Sequence, residues 1–274
     1  MFDEKIAAIE ISLDNKNLED TVKLNEELKL LETKHLSKFV KSKLRQNLES
    51  LFIALALALF VREFIVQPFK IPSGSMMPNL LVGDHLLVTK FIYGTKLPFT
   101  SVQILPGVKD IEYGDVIVFV YPNGDNEPSK KGVHYIKRVV GLPGDSINIK
   151  NRNLLINGHN IPLEYEGSYD SNNLHNTIYV DEYEEDLFGS KHKVVYQNGR
   201  KSTDKGLFIP IDKIPENHYF VMGDNRDNSR DSRYWGLVPA ENISGKALLT
   251  HWSWVDPTKL VSNVRWERIF KFIN

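Results

Sequence analysis

Val133-His134-Tyr135-Ile136-Lys137-Arg138-Val139-Val140 is a run of β-branched and aromatic residues that carries two cations in its middle. Alternation at period two places Val133, Tyr135, Lys137 and Val139 on one face, with His134, Ile136, Arg138 and Val140 on the other. The spacing predicts a strand in which the Lys137 amine shares its face with apolar neighbours. Two readings stay open: an edge-strand lysine that discourages aggregation, or a desolvated amine available for chemistry.

Outward from this run the same texture repeats at Leu86–Val88, Val116–Tyr121, Ile147–Ile149, Tyr219–Met222 and Lys246–Trp252, each bounded by turn residues. Gly-Asp pairs at 83, 114 and 144 each precede a run, and Leu142-Pro143-Gly144-Asp145 has Pro and Gly where a type II turn wants them. An all-β body is therefore predicted after Pro68. Between Asn151 and Gly206 the pattern loosens, with Asn-Gly pairs at 157 and 198 and an acidic stretch from Asp181 to Asp186. That suggests an inserted, hairpin-rich subdomain whose acidic stretch is a solvated surface.

The chain has 274 residues, a net charge of −1 and 42% apolar residues, which excludes whole-chain disorder and a general field for binding nucleic acid. Its length suggests one or two domains. Without cysteine there are no disulfides, no thiolate nucleophile and no cysteine-ligated zinc. Residues 1 to 33 hold nine acids against four lysines, whereas 34 to 45 hold Lys34, Lys38, Lys41, Lys43 and Arg45 with no acid. The uncharged run Leu51–Val61 would rise only about 16 Å as a helix. Widened to Leu48–Val66 it reaches about 28 Å, against a hydrocarbon core of about 30 Å. It reads either as a membrane span or as a buried core helix. As a span it would be an uncleaved signal-anchor, with the basic cluster holding the N-terminus in the cytoplasm. Upstream, Leu24, Leu28, Leu31, Leu36, Val40, Leu44 and Leu48 recur at roughly helical spacing, predicting a cytosolic helix that runs into the span.

Two further segments carry candidate chemistry. In Ile71-Pro72-Ser73-Gly74-Ser75-Met76-Met77-Pro78, prolines bracket a small-residue turn that presents its serines. Gly223-Asp224-Asn225-Arg226-Asp227-Asn228-Ser229-Arg230-Asp231-Ser232-Arg233-Tyr234-Trp235-Gly236 is dense in opposite charges. As a calcium loop it fails, because Ser232 stands at the turn glycine and Val238 at the closing glutamate.

Together, in this order behind an apolar block, these segments resemble type I signal peptidase, the bacterial Ser-Lys leader peptidase. The resemblance covers roughly Val61 to Thr250. It implies Ser75 as nucleophile and Lys137 as general base. Ser73 and the Ser75 N–H would form the oxyanion hole, and Ser229 would orient the lysine. Ile71, Met76, Leu80, Tyr135 and Ile136 would line shallow substrate pockets; Arg138, Asp224, Asp231 and Arg233 would brace the site. The implied fold is mainly β: a twisted antiparallel catalytic core over 68–150 and 208–274, an inserted smaller β subdomain over 151–207, a helical anchor over 48–67 and a cytoplasmic helical extension over 1–47. The implied activity is a membrane-anchored serine endopeptidase that removes signal peptides after small residues, on the extracytoplasmic side of a bacterial inner membrane. Implied partners are signal-peptide-bearing preproteins, the lipid bilayer and the secretion translocon; no nucleic acid, metal or cofactor is called for. Many relatives from two-membrane bacteria carry two N-terminal spans, whereas residues 1 to 50 here show no second apolar segment.

Elementary acid–base chemistry is consistent with the amine as base. At a pKa near 10.4 only about 0.04% of a lysine is neutral at pH 7, and lowering it to about 8 raises that to roughly 9%. Three other readings compete. A Ser-His-Asp hydrolase would draw on His134, His85 or His218. A β-lactamase-like site could cite Ser202-Thr203-Asp204-Lys205. A membrane-anchored module could hold extended peptides without cutting them. Trp252, Trp254 and Phe99 read either as lipid-resting side chains or as core packing.

Overall fold

In the computed structural model the described residues are 2–14, 18–36, 42–96, 103–173, 176–199, 209–255 and 263–273. They divide into two compact units, Met1–Leu59 and Phe60–Asn274.

The first unit is helical: α1 (Phe2–Asp14), α2 (Leu18–Leu36) and most of α3 (Lys43–Phe60). α1 and α2 pair through a Lys5–Glu27 ion pair and a 2.8 Å contact between the Ser12 and Thr21 hydroxyls. The predicted helix running unbroken from α2 into the apolar block is corrected. Ser42 caps a new helix, its hydroxyl accepting the Arg45 N–H at 3.2 Å. Val40, Lys38 and Lys41 lie outside the described residues.

The predicted helix over 48–67 is corrected as well. α3 stops at Phe60, Val61–Ile65 wind as a wider π-helical turn, and Val66–Lys70 are already strand. Pro68 disfavours helix at Gln67, and pairing of Val66 with Thr89 draws the chain into the sheet. α3 also carries Lys43, Arg45 and Glu49 in its first two turns. Among the described residues no helix is long and apolar enough to cross a membrane.

The second unit is built on an eight-stranded antiparallel sheet. Its order is Val66–Lys70, Asp84–Thr89, Ile243–Ser253, Val116–Val120, His134–Gly141, His218–Met222 and Val238–Pro239, with Lys271–Phe272 paired to Ile243–Ser253. The predicted runs coincide with these strands or the hairpin strand Ile147–Lys150, except that Tyr121 and Val133 each fall one residue outside theirs. His134–Gly141 is no edge: Ile117 faces Lys137 on one side and Met222 faces Arg138 on the other. Both of its faces are covered. Val139 and Tyr135 join a core with Phe119, Tyr121 and Trp235, whereas Ile136 packs with Ile71, Met76, Leu80 and Leu86. The strand from near the C-terminus, Ile243–Ser253, lies between the serine-side strands and the lysine-side strands.

The three Gly-Asp turns follow one design. Gly83, Gly114 and Gly144 have φ of 93°, 83° and 95°, a region in which a side chain is strained. Each following aspartate turns its carboxylate back to accept an N–H three residues earlier: Leu81 to Asp84 at 2.8 Å, Glu112 to Asp115 at 3.0 Å, and Leu142 to Asp145 at 2.8 Å. Asp84 also takes Arg268 Nη2 at 2.6 Å, and that guanidinium donates to the Asn79 carbonyl at 2.8 Å. The C-terminal segment is thereby tied to the loop behind Ser75.

Three smaller antiparallel sheets complete the unit: Ile147–Lys150/Asn153–Ile156/His159–Asn160, Leu163–Asn173/Asn176–Leu187/Ser190–Gln197, and the two-stranded Thr95–Lys96/Gln103–Leu105. Asn157-Gly158, with φ of 52° and 77°, turns the first as its sequence predicts. Phe188-Gly189 performs the same turn in the second.

Candidate active site

Ser75 lies in a single 3₁₀ turn, Gly74–Met76, following the extended residue Ser73. Lys137 reaches it from the middle of its strand, 62 residues further along the chain. Lys137 Nζ lies 2.7 Å from Ser75 Oγ, and both side chains are buried, Lys137 being only 3% exposed. The amine also donates to the Ile136 carbonyl at 2.8 Å and sits 5.9 Å from the centroid of the Tyr135 ring. Ser73 Oγ lies 3.4 Å from Ser75 Oγ.

Burial pushes the Lys137 pKa down from 10.5 to about 8; Asp231 and Asp224 pull it up, and Arg233 pushes it down again. With one N–H engaged by the Ile136 carbonyl, a neutral amine can turn its lone pair to the Ser75 hydroxyl. This geometry supports proton transfer from the serine.

Two buried ion pairs hold the loop opposite. Arg138 grips Asp224 in a fork, Nε to Oδ1 at 2.8 Å and Nη2 to Oδ2 at 2.9 Å, and donates to the Gly114 carbonyl at 2.7 Å. Arg233 grips Asp231 at 2.7 and 2.8 Å, and Asp231 accepts the Gly223 N–H at 3.0 Å. Burial pushes both carboxyls up, but the facing guanidinium outweighs it in each case, so both rest below the usual carboxylate range.

Residues 44–252 match the sequence profile of the family described as signal peptidase, peptidase S26. The chain belongs to this peptidase family. A protein named signal peptidase I from Pseudomonas fluorescens is 43% identical over 223 residues, 76% of this chain and 72% of the relative. One from Buchnera aphidicola of Acyrthosiphon pisum is 40% identical over 252 residues, covering 78% of each chain. One from Aquifex aeolicus is 35% identical over 240 residues, 77% of this chain and 85% of the relative. The crystal structure of a signal peptidase I from Enterococcus faecalis V583 is 23% identical and covers 51% of this chain and 98% of its own, with a TM-score of 0.29, too slight a likeness to carry argument.

Of the apolar residues expected to line a signal peptidase substrate pocket, Ile71, Met76, Leu80 and Ile136 share one cluster, while Tyr135 packs in another with Phe119 and Tyr121. Ser229 is buried beside Gly223 but makes no hydrogen bond to the amine. The histidines considered for a triad are occupied elsewhere. His134 packs 5.2 Å from Phe69 with the rings tilted by 52°, His85 lies among His251 and Trp254, and His218 Nδ1 is 2.9 Å from the Glu216 carbonyl. Trp252 packs against Trp254 and Trp266, whereas Phe99 and Ser202–Lys205 lie outside the described residues.

Three features escaped the sequence reading. Asn79 Nδ2 donates to Asp224 Oδ2 at 2.7 Å, bracing that carboxylate from the serine side. Glu185, in the stretch read as solvated, is 2% exposed and paired with Arg226 at 2.6 Å; this corrects the solvated reading at that residue. Period-two alternation along Tyr183, Glu185 and Leu187 was the available signal. Gly223 is the third: a Cβ there would stand 2.3 Å from Ser229 Oγ and 2.4 Å from the Ser75 carbonyl oxygen. Gly223→Ala must therefore displace the backbone at Ser75. A loss of kcat of about 10²-fold is expected, because misplacement near 1 Å costs that much. Steady-state kinetics on a variant with wild-type thermal unfolding checks it; unchanged kcat would contradict the close approach.

Proposed function

We propose that this chain is a membrane-anchored serine endopeptidase that removes signal peptides from exported preproteins, with Ser75 as nucleophile and Lys137 as general base. The carrying observation is the buried amine 2.7 Å from the serine hydroxyl. Neutral Lys137 takes the Ser75 proton as Oγ adds to the scissile carbonyl. The Ser75 N–H and the Ser73 hydroxyl receive the developing oxyanion. Collapse of the tetrahedral species breaks the C–N bond, and the ammonium returns its proton to the departing amine. Water then attacks the acyl-enzyme with the same amine as base, releasing the new carboxyl end and restoring the serine.

Membership in the signal peptidase family and its namesakes' identity support the choice of substrate. The apolar cluster of Ile71, Met76, Leu80 and Ile136 is in keeping with a preference for small side chains before the cut, as in the A-x-A signal pattern. In this reading residues 68–150 and 208–274 form the catalytic body, 151–207 the insert, and the apolar segment around α3 a signal-anchor. The basic residues before it hold the N-terminus inside, leaving the catalytic body on the extracytoplasmic side of the inner membrane.

Detergent-solubilised enzyme incubated with a preprotein tests this reading. It is expected to release a mature N-terminus, and Ser75→Ala is expected to leave the substrate full length. Cleavage by Ser75→Ala, or an intact substrate with the wild type, sinks the reading, the latter in favour of a peptide-binding module.

Acid–base dependence supplies a second test. The reactive form is the neutral amine, so kcat/KM should rise with pH along a limb whose midpoint lies near 8, the lowered value of Lys137. A midpoint at the ordinary histidine value near 6.5 would instead indicate an imidazole base.

A further inference from the structure

Asn225 is buried and brackets the nucleophile from both sides. Its backbone N–H donates to the Ser75 carbonyl at 3.1 Å, and its side-chain Nδ2 donates to the Gly74 carbonyl at 3.0 Å. The Gly74 carbonyl and the Ser75 N–H belong to one peptide unit, whose planarity sends them in opposite directions. Anchoring the carbonyl therefore aims the N–H. Donors on the carbonyl oxygen also polarise the amide and strengthen its N–H as a donor, and here two converge, since the Met77 N–H adds a 3.2 Å bond. The Ser75 N–H itself has no acceptor among the described residues. It is left for the substrate.

We propose that Asn225 is a positioning residue for the oxyanion hole: its side-chain amide orients and polarises the Gly74–Ser75 peptide so that the Ser75 N–H meets the oxyanion of the tetrahedral intermediate. The proposal rests on the hydrolase reading above and adds a role for a residue that touches no substrate. The benefit falls on the transition state, because the oxyanion is present only there.

Asn225→Asp tests it, since it keeps the size but sets a carboxylate against a carbonyl; Asn225→Ala removes the donor outright and decides the matter if the aspartate variant does not fold. The expected result is a fall in kcat of about tenfold or more, smaller than the 10²–10³ for deleting a donor, with KM unchanged within about twofold. A peptide aldehyde that adds to Ser75 should weaken by the same factor, and an uncleavable peptide of the same sequence should bind as before. Unchanged kcat in folded enzyme, a loss confined to KM, or equal weakening of both inhibitors overturns the proposal. Ser75→Ala, assayed alongside, separates the two claims. If it still cleaves, the hydrolase reading fails; if it is inert while Asn225→Asp and Asn225→Ala are unaffected, only the role of Asn225 fails.

Discussion

Lys137→Met is expected to lose hydrolysis by about 10⁴-fold or more and yet to be the more stable protein at neutral pH. Activity fails because a thioether accepts no proton from Ser75, and no other base is bonded to that hydroxyl among the described residues. The stability gain follows from linkage. The unfolded lysine titrates near 10.5 and the folded one near 8, so between those values the unfolded chain binds more protons, and stability rises with pH. Below pH 8 the amine is protonated in both states and the full cost of burying it is borne, on the order of 3 kcal/mol from a displacement of this size. Methionine fills similar space without charge, though it leaves the Ile136 carbonyl without its partner. Urea unfolding at pH 7 should therefore favour the variant by about 1–3 kcal/mol, with the advantage shrinking as pH climbs through 8 toward 10.5. Residual turnover within tenfold of wild type would mean the amine is not the base, and a variant less stable at pH 7 would mean its burial does not carry this cost.

Asp224→Ala is expected to cost about 3–5 kcal/mol of stability, because it strands the Arg138 guanidinium in the interior. Both side chains of this pair are at most 1% exposed, and the carboxylate carries two guanidinium bonds and one from Asn79. The cost belongs chiefly to the buried cation, which keeps the Gly114 carbonyl but loses its counter-charge. The double variant Arg138→Met/Asp224→Leu removes both charges and should recover most of the loss, since a buried ion pair and an apolar replacement often come out nearly even. Chemical unfolding of the single and double variants checks this; a double variant as damaged as the single would place the cost in shape instead of charge. In the wild type, Asp224 titrates below its ordinary value of 3.8 when folded, so its contribution is complete above that value and fades only as pH falls below it.

The strands were legible because alternation and turn chemistry agree along the chain. Val116–Tyr121 and Val133–Val140 are dense in β-branched residues, and the Gly-Asp turns mark where three of the strands begin, at Asp84, Val116 and Ile147. The helical segment misled for a physical reason. Apolar residues resume at Phe64, Ile65 and Val66 after the charged pair Arg62-Glu63, but the pairing that pulls Val66 into the sheet comes from Thr89, which no local window contains. Residue types left the serine turn and the lysine strand open to bland readings; the order of the motifs, through the resemblance it carries, singled out Ser75 and Lys137, whose side chains the fold sets 2.7 Å apart. Asn225 lies inside the charge-dense segment Gly223–Gly236, but its bonds run to two carbonyls about 150 positions upstream and depend on backbone direction, which spacing does not encode. Glu185 was hidden by composition, since its acidic neighbours made the whole stretch look solvated.

Because Ile243–Ser253 lies between the strands flanking the serine turn and those that carry the lysine, the sheet that unites the two halves of the site closes through a strand far downstream of both. Pairings this distant in sequence form slowly. The hydroxyl and the amine are therefore expected to meet late in folding, after the local hairpins have closed.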